Sequence, residues 1–254
     1  MVLKSFERYL RETNIEQLLK RLEVPDSQSI LETIRHFTLK EAEKRDKILA
    51  GYFGEKGIKL IVNSISTNLM ESSPKLKSTA KILDVGAGSG LFTVKVSDKV
   101  KKKLPEASFY AMDATPIMLK MLVRKTSEVQ PFLGMAENIS KSLQIARRSL
   151  NLPIKFDAVF STLMLHHCGD IGKVFKSMRE ALKTNGKVVV IDLCKHDFTE
   201  FREEMGDVHL GFEVAEIKKA AKKAFSYVSV DKLPGICCSS SGRSAELFVA
   251  YMTP

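Results

Sequence analysis

From Lys81 onward, short apolar runs alternate with amphipathic segments, and this alternation constrains the fold more than any other feature of the chain. KILDV (81–85), SFYAM (108–112), PFLGM (131–135), FDAVFS (156–161) and KVVVIDL (187–193) read as buried strands. Helices are predicted between them near 90–103, 116–127, 137–149 and 170–183. Each strand–helix–strand step implies a right-handed crossover, and so a parallel sheet covered on both faces. The tail differs. A helix at 212–224 leads to SYVSV (226–230), a connection of Pro, Gly, Cys and Ser, and ELFVAYM (246–252), which together predict an antiparallel closing pair. The expected fold is therefore α/β: a three-layer Rossmann-like sheet of about seven strands, mostly parallel, with an antiparallel last strand.

Residues 1–72 contain helical patterns and no strand. Phe6 and Leu10, then Ile15, Leu18, Leu19 and Leu22, recur at helical spacing; Pro25-Asp26 punctuates before Ile30, Leu31 and Ile34. A further helix is expected after Gly57, with Ile58, Ile61, Val62, Ile65 and Leu69 on its apolar side, ending at Ser72-Ser73-Pro74. The chain divides accordingly into a helical cap or lid region, 1–74, and a sheet domain, 75–254. Tyr52-Phe53-Gly54 reads either as an aromatic lid element with glycine hinges or as packing against the sheet.

With 44% hydrophobic and 28% charged residues, the chain has an ordinary globular balance. Forty Lys and Arg against 30 Asp and Glu leave +10, spread thinly except at Lys99, Lys101, Lys102 and Lys103, where a helix C-terminus is expected. That distribution gives no reason to expect a nucleic-acid partner. No stretch is long and apolar enough to span a membrane, and MVLKSFERYL, charged at Lys4, Glu7 and Arg8, does not read as a secretory signal. The adjacent pair Cys237-Cys238 suits no disulfide framework, so a cytoplasmic location is expected.

Leu83-Asp84-Val85-Gly86-Ala87-Gly88-Ser89-Gly90 directly follows a strand and opens a helix. Glycines there let the backbone turn tightly and leave room for a ligand at main-chain amides. The dinucleotide fingerprint would need glycine where Leu91 stands, which disfavours a nicotinamide dehydrogenase. Instead the pattern is G-x-G-x-G with Asp84 two residues before it, and the next strand ends at Asp113, where a carboxylate can accept both hydroxyls of a ribose.

With these motifs in order, the chain over roughly 81–254 resembles the class I S-adenosylmethionine-dependent methyltransferases, and the segment from Lys195-His196-Asp197-Phe198 through Leu210-Gly211-Phe212 looks like the loop and helix of the ubiquinone/menaquinone-biosynthesis-like small-molecule enzymes among them. The resemblance implies that the loop Gly86, Ala87, Gly88 and Gly90 approaches the cofactor S-adenosyl-L-methionine, whose product is S-adenosyl-L-homocysteine. It implies that Asp84 helps hold the amino-acid end and that Asp113, followed by Ala114, binds the ribose. Met135-Ala136-Glu137 falls where the family lines the adenine, though Met135 stands where an Asp is common. Ser161, Thr162 and Leu163 would run beneath the methionine arm. The implied activity is methyl transfer to an O, N, S or C atom of a small-molecule acceptor, by a monomer or homodimer.

His166, His167, His196 and His209 all follow the fourth and fifth strands, as do Cys168 and Cys194, whereas His36 lies in the helical N-terminus. Three readings stand for this cluster: loop packing, acid–base catalysis, or soft-ligand binding. No C-x-x-C or H-x-x-x-H spacing marks a preformed metal site, so no metal is assigned. His167 or His196 is the expected base, with His166 and His209 as further catalytic candidates. The alternatives are a protein- or RNA-modifying methyltransferase, an arsenite or thiol methyltransferase, and a non-catalytic cofactor-binding regulator. The fourth strand runs into Ser161-Thr162-Leu163-Met164 rather than the family's Asn-Pro-Pro-Tyr-type signature, which lowers the nucleic-acid option.

Overall fold

The computed structural model describes residues 2–13, 15–24, 31, 39–204, 206–240 and 243–254. His36 and the punctuation at Pro25-Asp26 lie outside the described residues.

Seven strands form one sheet in the order β3-β2-β1-β4-β5-β7-β6. They are β1 (Lys81–Val85), β2 (Ser108–Asp113), β3 (Val129–Leu133), β4 (Phe156–Thr162), β5 (Leu182–Leu193), β6 (Tyr227–Ser240) and β7 (Arg243–Thr253). Neighbours among the first five are parallel, while β7 is antiparallel to both β5 and β6. The parallel sheet with an antiparallel end is thus as expected, and both β6 and β7 run opposite to their neighbour. Helices α4 (Leu91–Lys101), α5 (Pro116–Lys125), α6 (Ile139–Ala146) and α7 (Ile171–Ala181) connect successive strands; α8 (Phe201–Glu204) and α9 (Val214–Ala221) lie between β5 and β6.

Two differences from expectation have local causes. Strand β3 begins and ends two residues earlier than PFLGM, because Val129 pairs with Phe109 and Gly134 leaves the ladder to donate to the Asp113 carbonyl oxygen. Pro131, which has no N–H, is tolerated because β3 is the sheet edge. The Pro, Gly, Cys and Ser connection is strand instead of loop: β6 continues through it after a register shift, with Cys237 opposite Glu246.

The N-terminal region is helical: α1 (Val2–Glu12), α2 (Ile15–Arg21) and α3 (Leu39–Glu71). Helix α3 is broken at Gly54, whose φ of 63° and ψ of 171° interrupt the hydrogen-bonded spiral. After the break, Ile61, Ile65 and Leu69 are fully buried in the core that the sheet shares. The C-terminus of α3 is closed by buried Lys187 of β5, which donates to the carbonyl oxygens of Leu69 at 2.9 Å and Ser72 at 2.7 Å. No helix among the described residues is long and apolar enough to cross a membrane.

Candidate functional site

Strand order reverses between β1 and β4, so the loops after them part and leave a crevice at the carboxyl edge. The glycine loop forms one wall. The amides of Gly86 and Ala87 donate to the Met112 carbonyl oxygen at 2.8 and 3.0 Å, tying the loop to the end of β2. Gly86, Gly88 and Gly90 all have positive φ, at 74°, 53° and 82°. A β-carbon on Gly86 would lie 2.1 Å from Met164 Cγ, whereas one on Gly88 would meet nothing within 4 Å among the described residues. Gly86 is therefore required by packing and backbone conformation; Gly88 borders open space where a ligand can reach the backbone.

Two carboxylates frame this loop. Asp113 accepts from the Gly88 amide through Oδ2 and from the Thr115 amide through Oδ1, each at 2.8 Å. Burial raises its pKa, opposed by those bonds and by the Arg45 guanidinium. Ala114 lies in the turn between Asp113 and Thr115, ahead of α5. Asp84 is 2% exposed; its Oδ2 accepts from Thr93 Oγ1 at 2.6 Å, and its Oδ1 is buried without a hydrogen-bond partner among the described residues. Burial, with Asp113 nearby, pushes the Asp84 pKa up to about 7.

On the β3 side, the Met135 amide donates to Ser142 Oγ, and Ala136 and Glu137 open a short 3-10 turn, Ala136–Asn138. Asn138 Nδ2 reaches the Leu22 carbonyl oxygen, and the Leu133 amide donates to the Tyr9 hydroxyl, so α1 and the segment after α2 close this end. On the β4 side, Ser161 Oγ donates to the Val85 carbonyl oxygen at 2.7 Å, and buried Thr162 Oγ1 has no hydrogen-bond partner among the described residues. Leu163 adopts φ of 55°, a left-handed conformation uncommon for a non-glycine residue. That turn precedes Met164, whose side chain packs on Gly86.

The histidines separate into distinct environments. His166 Nδ1 donates to Asp192 Oδ1 at 2.5 Å, and Asp192 also accepts from the amides of Leu165 and Leu193, each at 2.7 Å. Burial opposes a charge on His166, but Asp192 and then Asp207 outweigh it and raise its pKa. Burial likewise pushes Asp192 upward, and the His166 imidazole and amide donors prevail and lower it. His167 packs on His166 with ring centroids 4.1 Å apart and donates from Nδ1 to the Gly206 carbonyl oxygen at 3.2 Å; burial and the neighbouring positive groups push its pKa down to about 3.

His196 belongs to an aromatic group with Phe198 and Phe201, and Phe201 in turn meets Tyr52 of α3 at a centroid distance of 5.3 Å. The Phe198 amide donates to His196 Nδ1, which places the proton of the neutral ring on Nε2, a buried atom without a hydrogen-bond partner among the described residues. Burial lowers the His196 pKa. A cavity of about 720 Å³ opens beside it, with Cys194, Phe212, Lys232 and Glu246 in its wall. His209 is a structural tie: its Nε2 bonds to the Cys168 carbonyl oxygen and its amide to that of His166. The thiols of Cys168 and Cys194 are free and buried, and burial raises both, that of Cys194 to about 11.

Sequence reasoning missed how α3 reaches this edge. Asp46 receives a hydrogen bond from Ser89 of the glycine loop and an ion pair from Lys125 at 2.6 Å, while Lys125 also donates to the Ser89 carbonyl oxygen. The neighbouring Arg45 acts electrostatically on Asp113 on one side and on Asp207, His166 and His167 on the other. No motif announces contacts made across so much chain. Asp207 was missed for the same reason, and its placement beside His166 and His167 comes only from the fold.

The Methyltransferase domain family model matches residues 59–243. A malonyl-[acyl-carrier protein] O-methyltransferase from Xylella fastidiosa is 31% identical over 129 residues, covering 50% of this chain and 40% of that protein. The ubiquinone/menaquinone biosynthesis C-methyltransferase UbiE of Rickettsia peacockii is 25% identical over 169 residues, covering 63% of this chain and 64% of that one. The chain thus spans less than two thirds of the length of these relatives. Haemonchus contortus phosphoethanolamine N-methyltransferase 2, solved with S-adenosyl-L-methionine, shares the fold at a TM-score of 0.61 and 15% identity, covering 95% of this chain and 60% of that one. A match over most of the chain, on a sheet of this order, places the protein in the class I S-adenosylmethionine-dependent methyltransferase family.

Proposed function

We propose that this protein transfers a methyl group from S-adenosylmethionine to a small-molecule acceptor held on the histidine side of the crevice. The reading rests on one observation above all: the Gly88 amide bonded to Asp113 at a loop beside which Asp84 keeps a buried, unpartnered oxygen. These groups fit the cofactor, since open space at Gly88 admits it to the backbone and Asp84 Oδ1 offers an acceptor for an ammonium group. The remaining lone pairs of Asp113 would take the ribose hydroxyls, with Ala114 beside them. Gly86, Ala87 and Gly90 shape the loop, Met135, Ala136 and Glu137 line the adenine, and Ser161, Thr162 and Leu163 run beneath the methionine arm. When bound, the cofactor supplies a methyl group already activated on a sulfonium.

What the chain adds is positioning and exclusion of water. The half of α3 before Gly54, within the cap region 1–74, closes the crevice through Asp46 and Arg45, leaving 75–254 as the cofactor-binding domain. His196, with its proton on Nε2, donates a hydrogen bond to an acceptor oxygen or nitrogen, and Tyr52 and Phe201 supply apolar contact. His166 and His167, each fixed through Nδ1, contribute at the far side, and His209 positions the turn that carries them. The relatives' names specify O-, C- and N-methylation, so the family leaves the atom open. A relative named for ubiquinone/menaquinone biosynthesis supports a small-molecule acceptor. Buried free thiols suit a reducing compartment, the cytoplasm.

Calorimetric titration with S-adenosylhomocysteine, with NADH as the control ligand, tests the cofactor. One-site binding of the former alone is expected; absence of binding overturns the reading. Labelled-methyl transfer to a panel of phenols, thiols, amines and quinone precursors then tests the acceptor class.

A further inference from the structure

We propose that His166, His167 and Asp207 form a binding site for a divalent transition-metal ion of the zinc type. One ring nitrogen of each histidine and a carboxylate oxygen of Asp207 lie within 4.8 Å of one another. Asp207 Oδ1 is 3.6 Å from His166 Nε2 and 3.7 Å from His167 Nδ1. Those separations are too long for hydrogen bonds. The first is close to the edge of a tetrahedron of ligands around zinc, about 3.4 Å for bonds of about 2.1 Å.

Three further features point the same way. The Asp207 side chain is 1% exposed, yet neither of its oxygens accepts a hydrogen bond among the described residues. A carboxylate buried in that manner favours positive charge beside it, and His166 turns toward it the ring nitrogen, Nε2, that its bond to Asp192 leaves without a proton in the neutral ring. His166 donates its Nδ1–H to Asp192, and Asp192 is itself held by backbone amides. This carboxylate–imidazole relay is how proteins orient a histidine whose other nitrogen binds metal. His167 makes the equivalent bond to a carbonyl, from Nδ1 to Gly206, which leaves its Nε2 with a lone pair.

Two imidazoles and one carboxylate form a donor set of intermediate softness. It suits zinc, cobalt or ferrous iron and does not suit magnesium or calcium, which take oxygen donors throughout. Three protein ligands leave at least one coordination position for another molecule. The site does not depend on methyl transfer; it is a property of the chain's own side chains.

The test uses untagged full-length protein freed of metal by chelation. Titration with Co²⁺, followed by visible absorption, is expected to saturate at about one ion per chain, with Zn²⁺ displacing it. Asp207→Asn and His167→Gln are each expected to weaken binding at least tenfold. Failure of the wild type to bind one equivalent, or unchanged binding by both variants, overturns the site. Should Asp207→Asn not fold, the partly exposed His167→Gln decides alone. Titrating the same samples with S-adenosylhomocysteine separates the two readings, because loss of cofactor binding bears on the methyltransferase reading and loss of Co²⁺ binding on this one.

Discussion

The Gly88 amide and the Asp113 carboxylate are hydrogen-bonded at 2.8 Å, joining the loop after β1 to the end of β2. The same carboxylate shapes the loop and, in the proposed function, would receive the ribose. Asp113→Ala is expected to weaken S-adenosylhomocysteine binding by roughly 1–3 kcal/mol, the usual cost of losing a buried charged acceptor. Calorimetry on a variant with an unchanged melting transition checks this, and equal affinity would refute the assignment.

Asp84 gives the fold a pH signature. Its pKa is about 7 when folded, against 3.8 for the ordinary carboxyl, so the unfolded chain releases this proton first as pH rises. Stability should accordingly fall between about pH 4 and pH 7, by on the order of 4 kcal/mol if this group acted alone. Asp84→Asn keeps a neutral partner for Thr93 and should remove that slope. Urea unfolding of both proteins at pH 4.5 and pH 7 measures the difference, and parallel pH profiles would count against a raised Asp84.

Gly86 and Gly88 should not respond alike to alanine. Gly86→Ala puts a β-carbon 2.1 Å from Met164 Cγ at a φ of 74° and should lower the melting temperature markedly. Gly88→Ala meets no atom, so it should cost only the strain of its φ, about 1–2 kcal/mol, while obstructing the ligand's approach. Thermal denaturation and cofactor titration of the pair separate a structural glycine from a binding one.

Lys187 links the end of α3 to β5 through the carbonyls of Leu69 and Ser72. Lys187→Met fills the space and leaves those oxygens without their donor, a loss of about 1–3 kcal/mol expected in urea unfolding. An unaltered midpoint would show that water replaces the amine freely.

The Asp46 contacts to Ser89 and Lys125 are partly exposed and worth little to global stability. Their effect should be kinetic. Asp46→Asn is expected to speed cofactor dissociation several-fold in stopped-flow measurements with little change in melting temperature.

The sheet was legible in the sequence because each buried strand carries its own apolar run, as at Ile82–Val85 and Val188–Ile191, and because Gly86, Gly88 and Gly90 sit where a strand must turn into a helix. What stayed hidden depends on contacts between distant segments. Phe198 fixes the tautomer of His196 through a backbone amide, and nothing in residue type announces that bond. Cys237 joins a strand because Glu246 pairs with it, despite the Pro and Gly before it that read as a turn. Asp207 looks like an ordinary surface acid until the fold buries it against His166.

Arg45 and Asp46 are consecutive residues of one helix, so their side chains leave its axis about 100° apart. One acts on the histidine–aspartate side of the crevice and the other grips the glycine loop. Tyr52 follows Arg45 by two turns and continues the same stripe to Phe201. The break at Gly54 anchors the phase of that helix against the fixed half buried in the core. A single residue inserted between Tyr52 and Gly54 would leave every side chain intact yet rotate the stripe by a quarter turn or more. Helical phase, as much as residue identity, is then what inheritance must preserve in this segment.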